Sequence, residues 1–254
     1  MKIFYSTQIT NHTLIESMKE FRLNSDACWN ICVGIVSNLI KYRSMKFLIA
    51  VPFIKNENYY NYFEKKYYKN IEFIYFNSPV GAANTRFHFD YCFWEQQIDK
   101  IKLCNVMIND SNTLTKNWKV LFNEYELNIP IISTNYFLDS PIAKKVDENI
   151  RYYERMMESL NCSDLTAFQC ESSKLETLEA YDYLYKNRSN IRKTSVWNIG
   201  CWYEEVNKFN KLKKFPIITI YFANRITNSA GRYNNYHKFA EAIGIDNYCI
   251  FQHY

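Results

Sequence analysis

Arginine and asparagine side chains follow an apolar run in the stretch TIYFANRITNSAGRYNNYHKFAEAIG, Thr219 to Gly244. Asn224 and Arg225 come directly after the run, and Arg232 lies further along the same polar loop. A guanidinium offers a planar fork of donors that matches phosphate oxygens, and the start of the helix predicted to follow adds backbone N–H groups. The pattern indicates binding of a diphosphate whose charge grows as a bond to it breaks. The alternative is a surface arginine at a strand end.

A second polar group lies in NTRFHFDYCFWEQQ, where Arg86, His88 and Asp90 occupy alternate positions. Alternate side chains project to one side of an extended segment. With the aromatic residues between them, they would form a pocket for a sugar or a base. The alternative is a loop that leads into a helix, with Asp90 as the helix cap and the aromatic residues in the core.

Polar residues also end two of the predicted strands. Asn109, Asp110 and Ser111 end one of them, and Thr134 and Asn135 end the next. Asp110 is placed to orient a substrate hydroxyl. The alternative is an N-cap for the helix predicted to begin at Leu114, since Ser, Asp and Asn are favoured there.

Short β-branched or aromatic runs alternate along the chain with longer stretches of helical spacing, which is typical of βαβ units. The predicted strands are Lys2–Ser6, Lys46–Pro52, Ile71–Phe76, Asn105–Asn109, Pro130–Thr134, Leu165–Gln169 and Ser195–Ile199. The predicted helices are Thr13–Phe21, Trp29–Tyr42, Asn58–Tyr68, Tyr91–Ile101, Leu114–Tyr125, Asp147–Ser159 and Ser172–Tyr185. We expect an α/β fold with a Rossmann-like parallel sheet, and ligand-binding groups at the carboxyl ends of its strands.

The charged stretch YEEVNKFNKLKKFP, which ends in Pro216, predicts a linker. We therefore expect one domain over residues 1–203, a linker over 204–216, and the start of a second Rossmann-like domain over 217–254. That second domain is expected to be incomplete, because a whole one needs roughly a hundred residues more.

Composition narrows the class of protein. The chain has 254 residues, is 48% hydrophobic and carries a formal net charge of +5, which excludes a disordered composition. Eight cysteines without a Cys-x-x-Cys pair predict reduced, mostly buried thiols and a cytoplasmic location. No apolar run approaches the roughly 20 residues of a membrane span. Basic runs such as Lys65-Lys66 would meet an anionic partner or, alternatively, form a solvated surface.

The order of elements, together with YFANRITNSAGRYNNYHKFAEAI, resembles the GT-B glycosyltransferases. That resemblance implies two Rossmann-like domains, the first for the acceptor and the second for a nucleotide-sugar donor. Arg225 stands at the position of a family arginine that contacts donor phosphate, while Asn224 replaces the family's glycine. The family's loop lysine is missing, so Arg232 would serve instead. The segment SVWNIGCW, Ser195–Trp202, looks like the last strand before the linker, and its Gly200 is assigned to the donor side. The chain looks most like divergent glycosyltransferases of phages, some of which glycosylate modified DNA bases.

The resemblance implies a hexosyltransferase-like enzyme that moves a sugar from a nucleotide diphosphate sugar to a hydroxyl of a glycan or a modified DNA base. His12 would act as the catalytic base, assisted by Asp110; the alternative for His12 is a helix-cap environment. The acceptor side would comprise Arg86, His88, Asp90, Asn109 and Asn135. No Asp-x-Asp motif is present, which fits a reaction without metal or cofactor. Two alternatives stay open: a non-catalytic α/β nucleotide- or partner-binding module, and a nucleotide-sugar epimerase.

Overall fold

The computed structural model describes residues 1–7, 27–53, 65–77, 88–110, 112–135, 150–188 and 191–197. The strands are β1 (Lys2–Ser6), β2 (Lys46–Pro52), β3 (Ile71–Phe76), β4 (Val106–Asn109), β5 (Ile131–Asn135), β6 (Leu165–Phe168) and β7 (Thr194–Val196). The helices are α1 (Ala27–Arg43), α2 (Tyr91–Gln96), α3 (Ile98–Ile101), α4 (Thr115–Glu124), α5 (Ile150–Cys162) and α6 (Glu171–Tyr185), with a 3-10 turn over Asn112–Leu114 before α4.

The strands form one seven-stranded sheet in the order β3-β2-β1-β4-β5-β6-β7. Every neighbouring pair is parallel, with Ile3 opposite Phe47 of β2 and opposite Val106 of β4. Parallel strands require crossover connections, and the alternation of strand and helix in the sequence supplies them. The predicted α/β class and its Rossmann-like parallel sheet are confirmed.

The two faces of the sheet have separate cores because successive side chains of a strand point to opposite faces. Ile3, Tyr5, Phe47 and Ile49 pack on one face against α1, where Trp29 is fully buried. On the other face, side chains of the same strands pack against α2, α3 and α4, through the buried residues Phe4, Leu48, Trp94, Ile101, Trp118 and Leu121. The strands near the sheet centre are therefore apolar on both faces, as expected of a buried parallel sheet.

Aromatic rings hold α2 and α4 together over one face. The ring centroids of Trp94 and Trp118 lie 4.7 Å apart, and Phe4 of β1 meets Trp118 at 5.2 Å in an edge-to-face contact. Phe89 adds a further edge-to-face contact with Trp118 at 4.8 Å. Such pairs contribute about 0.5–1.5 kcal/mol beyond the burial of their area. The aromatic residues around position 90 therefore belong to the core, which was the alternative to a binding pocket.

A smaller core lies farther along the sheet, where α5 and α6 pack beside β6. Its buried members are Met156, Met157, Leu160, Phe168, Ala180 and Tyr181. Tyr181 also donates its hydroxyl to Asn161 Oδ1 at 2.6 Å. This cluster packs the second half of α6 against α5 and β6.

The chain divides into two compact units, Met1–Tyr203 and Glu204–Tyr254. All of the described residues belong to the first unit. The predicted linker over 204–216 and the second domain over 217–254 lie outside the described residues and stay predictions.

Five cysteines whose side chains the structure describes form no disulfide, and their reduced state stays a prediction. Cys32 and Cys104 are buried, Cys162 and Cys170 are partly exposed, and Cys92 is exposed, so burial is less general than expected. Within the described segments, no helix combines the length and the apolar composition that crossing a bilayer would take.

Candidate functional site

The order of the strands reverses between β1 and β4, because the chain first adds strands on one side of β1 and then on the other. In open parallel sheets, ligands bind beyond the carboxyl ends of the strands at such a reversal. Here Asp110 N donates to the carbonyl oxygen of Ser6 at 2.9 Å, which joins the two strand ends. Thr7 continues β1, and its hydroxyl donates to the carbonyl oxygen of Ala50 at 2.8 Å. The reversal point is thus lined by Ser6, Thr7, Asn109 and Asp110.

Asp110 is held by a residue of the neighbouring strand. The Thr134 hydroxyl donates to Asp110 Oδ1 at 2.8 Å, and the backbone register that pairs Asn109 with Ser133 sets these two residues side by side. Asp110 and Thr134 are each only 1% exposed. A hydrogen bond to a buried carboxylate fixes its orientation and contributes more than one between neutral groups. At the start of α4, the N-cap Leu114 forms no side-chain cap, and the acceptor role of Asp110 and its capping alternative both stay predictions.

A chain of buried hydroxyl and amide groups leads from Asn109 across the sheet. Asn109 Nδ2 donates to Thr115 Oγ1 at 3.0 Å, and Thr115 Oγ1 lies 2.8 Å from Ser133 Oγ. The Ser163 hydroxyl then lies 2.7 Å from Ser133 Oγ and 2.5 Å from the carbonyl oxygen of Ser159. These contacts connect the carboxyl end of β4 to α4, β5 and the C-terminal end of α5. Buried polar groups joined in this way hold one arrangement of their side chains.

A second set of contacts connects the carboxyl end of β5 to α6. Asn135 Oδ1 accepts from Asn112 Nδ2 at 3.5 Å, and Asn135 Nδ2 donates to Thr177 Oγ1 at 3.4 Å. Thr177 donates in turn to the carbonyl oxygen of Ser173 at 2.7 Å, in the first turns of α6. Asn135 is 2% exposed. The amide groups of Asn112 and Asn135 therefore stand beside the Asp110–Thr134 pair, and we call these four residues together the β4–β5 polar site.

The structure brings the predicted residues Asn109, Asp110 and Asn135 together at one edge of the sheet. His88 is exposed, and Asp90 lies at the N-terminus of α2. Asp90 Oδ1 accepts from the Phe93 backbone N–H at 3.1 Å, as a helix N-cap does. The structure thus shows the hydrogen bond of the capping alternative for Asp90. An acceptor role for His88 and Asp90 stays a prediction.

Several predicted site residues lie outside the described residues, and their roles stay predictions. They are His12, Arg86, Gly200, Asn224, Arg225 and Arg232. In the segments that the structure does describe, no group of three or more His, Cys, Asp or Glu side chains could hold a metal ion.

Sequence reasoning missed Thr115, Ser133 and Ser163, which carry the contacts behind Asn109. Ser133 stands inside the predicted strand PIIST, Pro130–Thr134, where a hydroxyl directly after two isoleucines is an unusual choice. A buried hydroxyl needs a hydrogen-bond partner. Ser133 and Thr134 in a buried strand were therefore a signal that a polar network surrounds this strand end.

No protein-family model matches the chain, and no curated protein matches it. Solved structures similar to it include Anabaena HepE in complex with UDP-glucose, at 12% identity and a TM-score of 0.47 over 97% of this chain and 51% of that one. A trehalose-6-phosphate synthase studied for enzymatic glycosyltransfer with retention is 13% identical, with a TM-score of 0.42 over 78% and 48% of the two chains. The N-terminal domain of Candida albicans trehalose-6-phosphate phosphatase is 10% identical, with a TM-score of 0.42 over 96% and 54%. The chain thus spans about half the length of these structures.

Proposed function

We propose that this chain belongs to a glycosyltransferase that moves a sugar from a nucleotide diphosphate sugar to a hydroxyl group, with residues 1–203 as its acceptor-side domain and 217–254 as the start of its donor-binding domain. The observation that carries the proposal is the β4–β5 polar site beside the β1–β4 reversal. There, a carboxylate and two amide side chains are fixed at the place where parallel sheets bind ligands. Carboxylates and amides are the side chains that hydrogen-bond the hydroxyl groups of a sugar or a nucleoside. The resemblance of Thr219–Gly244 to a donor-binding unit supports the same class of reaction.

The proposed roles divide between the two sides of the reaction. Asp110, Asn109 and Asn135 orient the acceptor hydroxyl, Arg86, His88 and Asp90 make further contacts to the acceptor, and His12 removes the proton of the hydroxyl. Arg225, with Asn224, Arg232 and Gly200, binds the donor diphosphate and stabilises it as it leaves. The reaction is proposed to need no metal and no resident cofactor, and the acceptor to be a glycan or a modified base in DNA. A cytoplasmic location remains part of the proposal.

One observation favours a second candidate, a non-catalytic α/β module that binds a nucleotide or a partner. Asp110 is 1% exposed and already hydrogen-bonded to Thr134, which is also how a purely structural carboxylate would be placed. The two candidates differ in whether the nucleotide-sugar donor is cleaved. A transferase splits the donor in the presence of an acceptor, whereas a binding module leaves it intact.

The experiment is to supply the whole gene product with a panel of UDP- and GDP-sugars, each with and without glycan and DNA acceptors, and to measure released nucleotide. The proposal expects acceptor-dependent release by the wild type and a loss of about a hundredfold or more in Arg225→Ala, the scale expected for a group that stabilises developing charge. Tight binding of a nucleotide without release from any donor would favour the binding module.

A further inference from the structure

Two basic turns that are separate in the sequence lie side by side at the amino edge of the sheet. KYRSMK, residues 41–46, leads into β2, and KKYYKN, residues 65–70, leads into β3. Since β2 and β3 are parallel neighbours with Phe47 opposite Ile71, both turns enter at the same edge. Asn70 Nδ2 donates to the carbonyl oxygen of Met45 at 3.0 Å, and Phe47 N donates to that of Asn70 at 2.7 Å. We call residues 41–46 and 65–70 the amino-edge patch.

The amino-edge patch is strongly cationic. Its exposed charged side chains are Lys41, Arg43, Lys46, Lys65, Lys66 and Lys69, and neither turn contains an acidic residue. Among the residues that the structure describes, none of Lys41, Arg43, Lys46, Lys65 and Lys69 forms an ion pair. Of the cations that the structure describes elsewhere on the same unit, most are paired, such as Lys102 with Asp99, Lys116 with Glu158, Lys174 with Glu171 and Arg188 with Asp182. Uncompensated charge is therefore concentrated at this edge, where it creates a local positive potential.

Two exposed tyrosines stand among these cations. Tyr42 is 68% exposed and Tyr68 is 66% exposed. Lys41 Nζ lies 5.0 Å from the centre of the Tyr42 ring, and Lys69 Nζ lies 5.4 Å from that of Tyr68. One face of each ring thus already contacts an ammonium group. Tyrosine with an apolar ring and a polar tip, next to Lys and Arg, is the combination enriched at the interface between a bilayer and water.

The position of the patch decides between two kinds of anionic partner. The β4–β5 polar site lies at the carboxyl edge of the sheet. The length of β2, Lys46–Pro52, places the amino edge about 20 Å from the carboxyl edge. A nucleic acid substrate bound at the patch would lie far from that site. A bilayer bound there would leave the carboxyl edge directed away from it. We propose that the amino-edge patch docks the protein on an anionic lipid surface; the choice of a bilayer over a nucleic acid rests on the proposed function of the β4–β5 polar site.

The test is sedimentation of the full chain with vesicles of phosphatidylcholine alone, or of phosphatidylcholine mixed with phosphatidylglycerol. The protein is expected to bind only the anionic vesicles and to be released by salt. The variant Lys41→Gln/Arg43→Gln/Lys65→Gln/Lys69→Gln is expected to bind at least tenfold more weakly, because each basic residue near an anionic surface contributes about fivefold. Tyr42→Ser/Tyr68→Ser should weaken the binding that remains at high salt.

The matched control is Lys102→Gln/Lys116→Gln/Lys174→Gln/Arg188→Gln, which removes the same charge from paired positions elsewhere. It is expected to keep wild-type vesicle binding, and circular dichroism confirms that both variants are folded. Equal losses in the two variants would overturn the proposal, because net charge rather than the patch would then cause binding. Equal binding to neutral vesicles would also overturn it, as would patch-dependent binding of an oligonucleotide without binding of anionic vesicles.

Discussion

The hydroxyl of Thr134 donates to Asp110 Oδ1 at 2.8 Å, across the carboxyl ends of the adjacent strands β4 and β5. Both residues come one position after a register pair, Asn109 with Ser133, so the backbone pairing itself brings them together. The orientation of the Asp110 carboxylate therefore depends on the pairing of β4 with β5, because its hydrogen-bond donor Thr134 belongs to β5.

Replacing Thr134 by valine keeps the shape of the side chain and removes the donor to Asp110. We expect Thr134→Val to lower the free energy of unfolding by about 1–3 kcal/mol, because a buried acceptor loses a partner. If Asp110 orients the acceptor, transfer should also fall, while donor binding stays unchanged. Chemical denaturation and nucleotide release measure the two effects.

Thr134→Ser is the control for this substitution, since it keeps the hydroxyl and loses only a methyl group. It should retain most of the transfer rate. Loss of activity in both variants, or in neither, would show that the hydrogen bond does not position Asp110.

The buried hydroxyl groups of Ser133 and Ser163, 2.7 Å apart, should be energetically coupled. We expect Ser133→Ala and Ser163→Ala each to cost about 1–3 kcal/mol, because each leaves a buried polar partner behind. The double variant should cost less than the sum of the two, since groups in one network are not additive. A double-mutant cycle in urea measures the coupling, and strict additivity would contradict a shared network.

The strands could be predicted from the sequence with little error. The bounds of β1, β2 and β3 agree with the prediction, β4 and β6 differ by one residue at one end, and β5 is shifted by one residue at both ends. The last strand was expected over Ser195–Ile199 and is observed over Thr194–Val196. Continuous apolar runs between polar loops mark buried parallel strands clearly.

The helix expected over Tyr91–Ile101 is instead divided at Gln97, whose φ of −97° and ψ of −2° depart from helical values. The helix expected from Ser172 begins at Glu171, with Cys170 rather than a serine at its N-cap.

The β4–β5 polar site could be predicted only in part. The rule for carboxyl ends of parallel strands selected Asp110, Thr134 and Asn135 of this site and the neighbouring Asn109, but not Asn112. The partners Thr115, Ser133, Ser163 and Thr177 could not be identified, because their contacts depend on which helix packs beside which strand. The amino-edge patch was missed for the same reason: its two turns become neighbours only through the pairing of β2 with β3.

Glu72 should make stability depend on pH in the acid range. Burial alone would raise the pKa of Glu72, but hydrogen bonds from Lys100 and Lys2 outweigh it and lower the pKa below the ordinary value of 4.5. A carboxyl with a lowered folded pKa stabilises the protein above its unfolded pKa, and this contribution is lost as the pH falls through the folded pKa. The side chain is 44% exposed, so we expect about 0.5 kcal/mol.

The measurement is the free energy of unfolding between neutral and acid pH, for wild type and Glu72→Gln. The variant should be less stable at neutral pH and should approach the wild type as the pH falls below the folded pKa. A difference between the two that stays constant with pH would contradict the ion-pair explanation.

Cys170 and Cys104 should differ strongly in their reaction with iodoacetamide. The pKa of Cys170 is lowered, because the Ser172 hydroxyl and the backbone N–H groups of Ser173 and Ser172 donate to its sulfur. Burial raises the pKa of Cys104 to about 11. The thiolate is the nucleophile, so at neutral pH Cys170 should be alkylated well before Cys104 in the native protein. Peptide mass spectrometry measures the order of alkylation. The variant Ser172→Ala should slow the alkylation of Cys170 alone. Rapid labelling of Cys104 would contradict its burial.

The most direct test of the account is the transfer rate of Asp110→Asn, with Asp164→Asn as the matched control. Asp164 lies next to β6 at the amino edge, where it accepts from the Ile131 backbone N–H at 2.9 Å and pairs with Arg192. Both variants exchange a carboxylate for an amide in the same sheet, at opposite edges. With the donor sugar that the panel identifies, Asp110→Asn is predicted to lose about a hundredfold or more in rate at unchanged donor affinity, while folded Asp164→Asn keeps the wild-type rate. Full activity in Asp110→Asn, or no transfer by the wild type from any donor, would contradict the account.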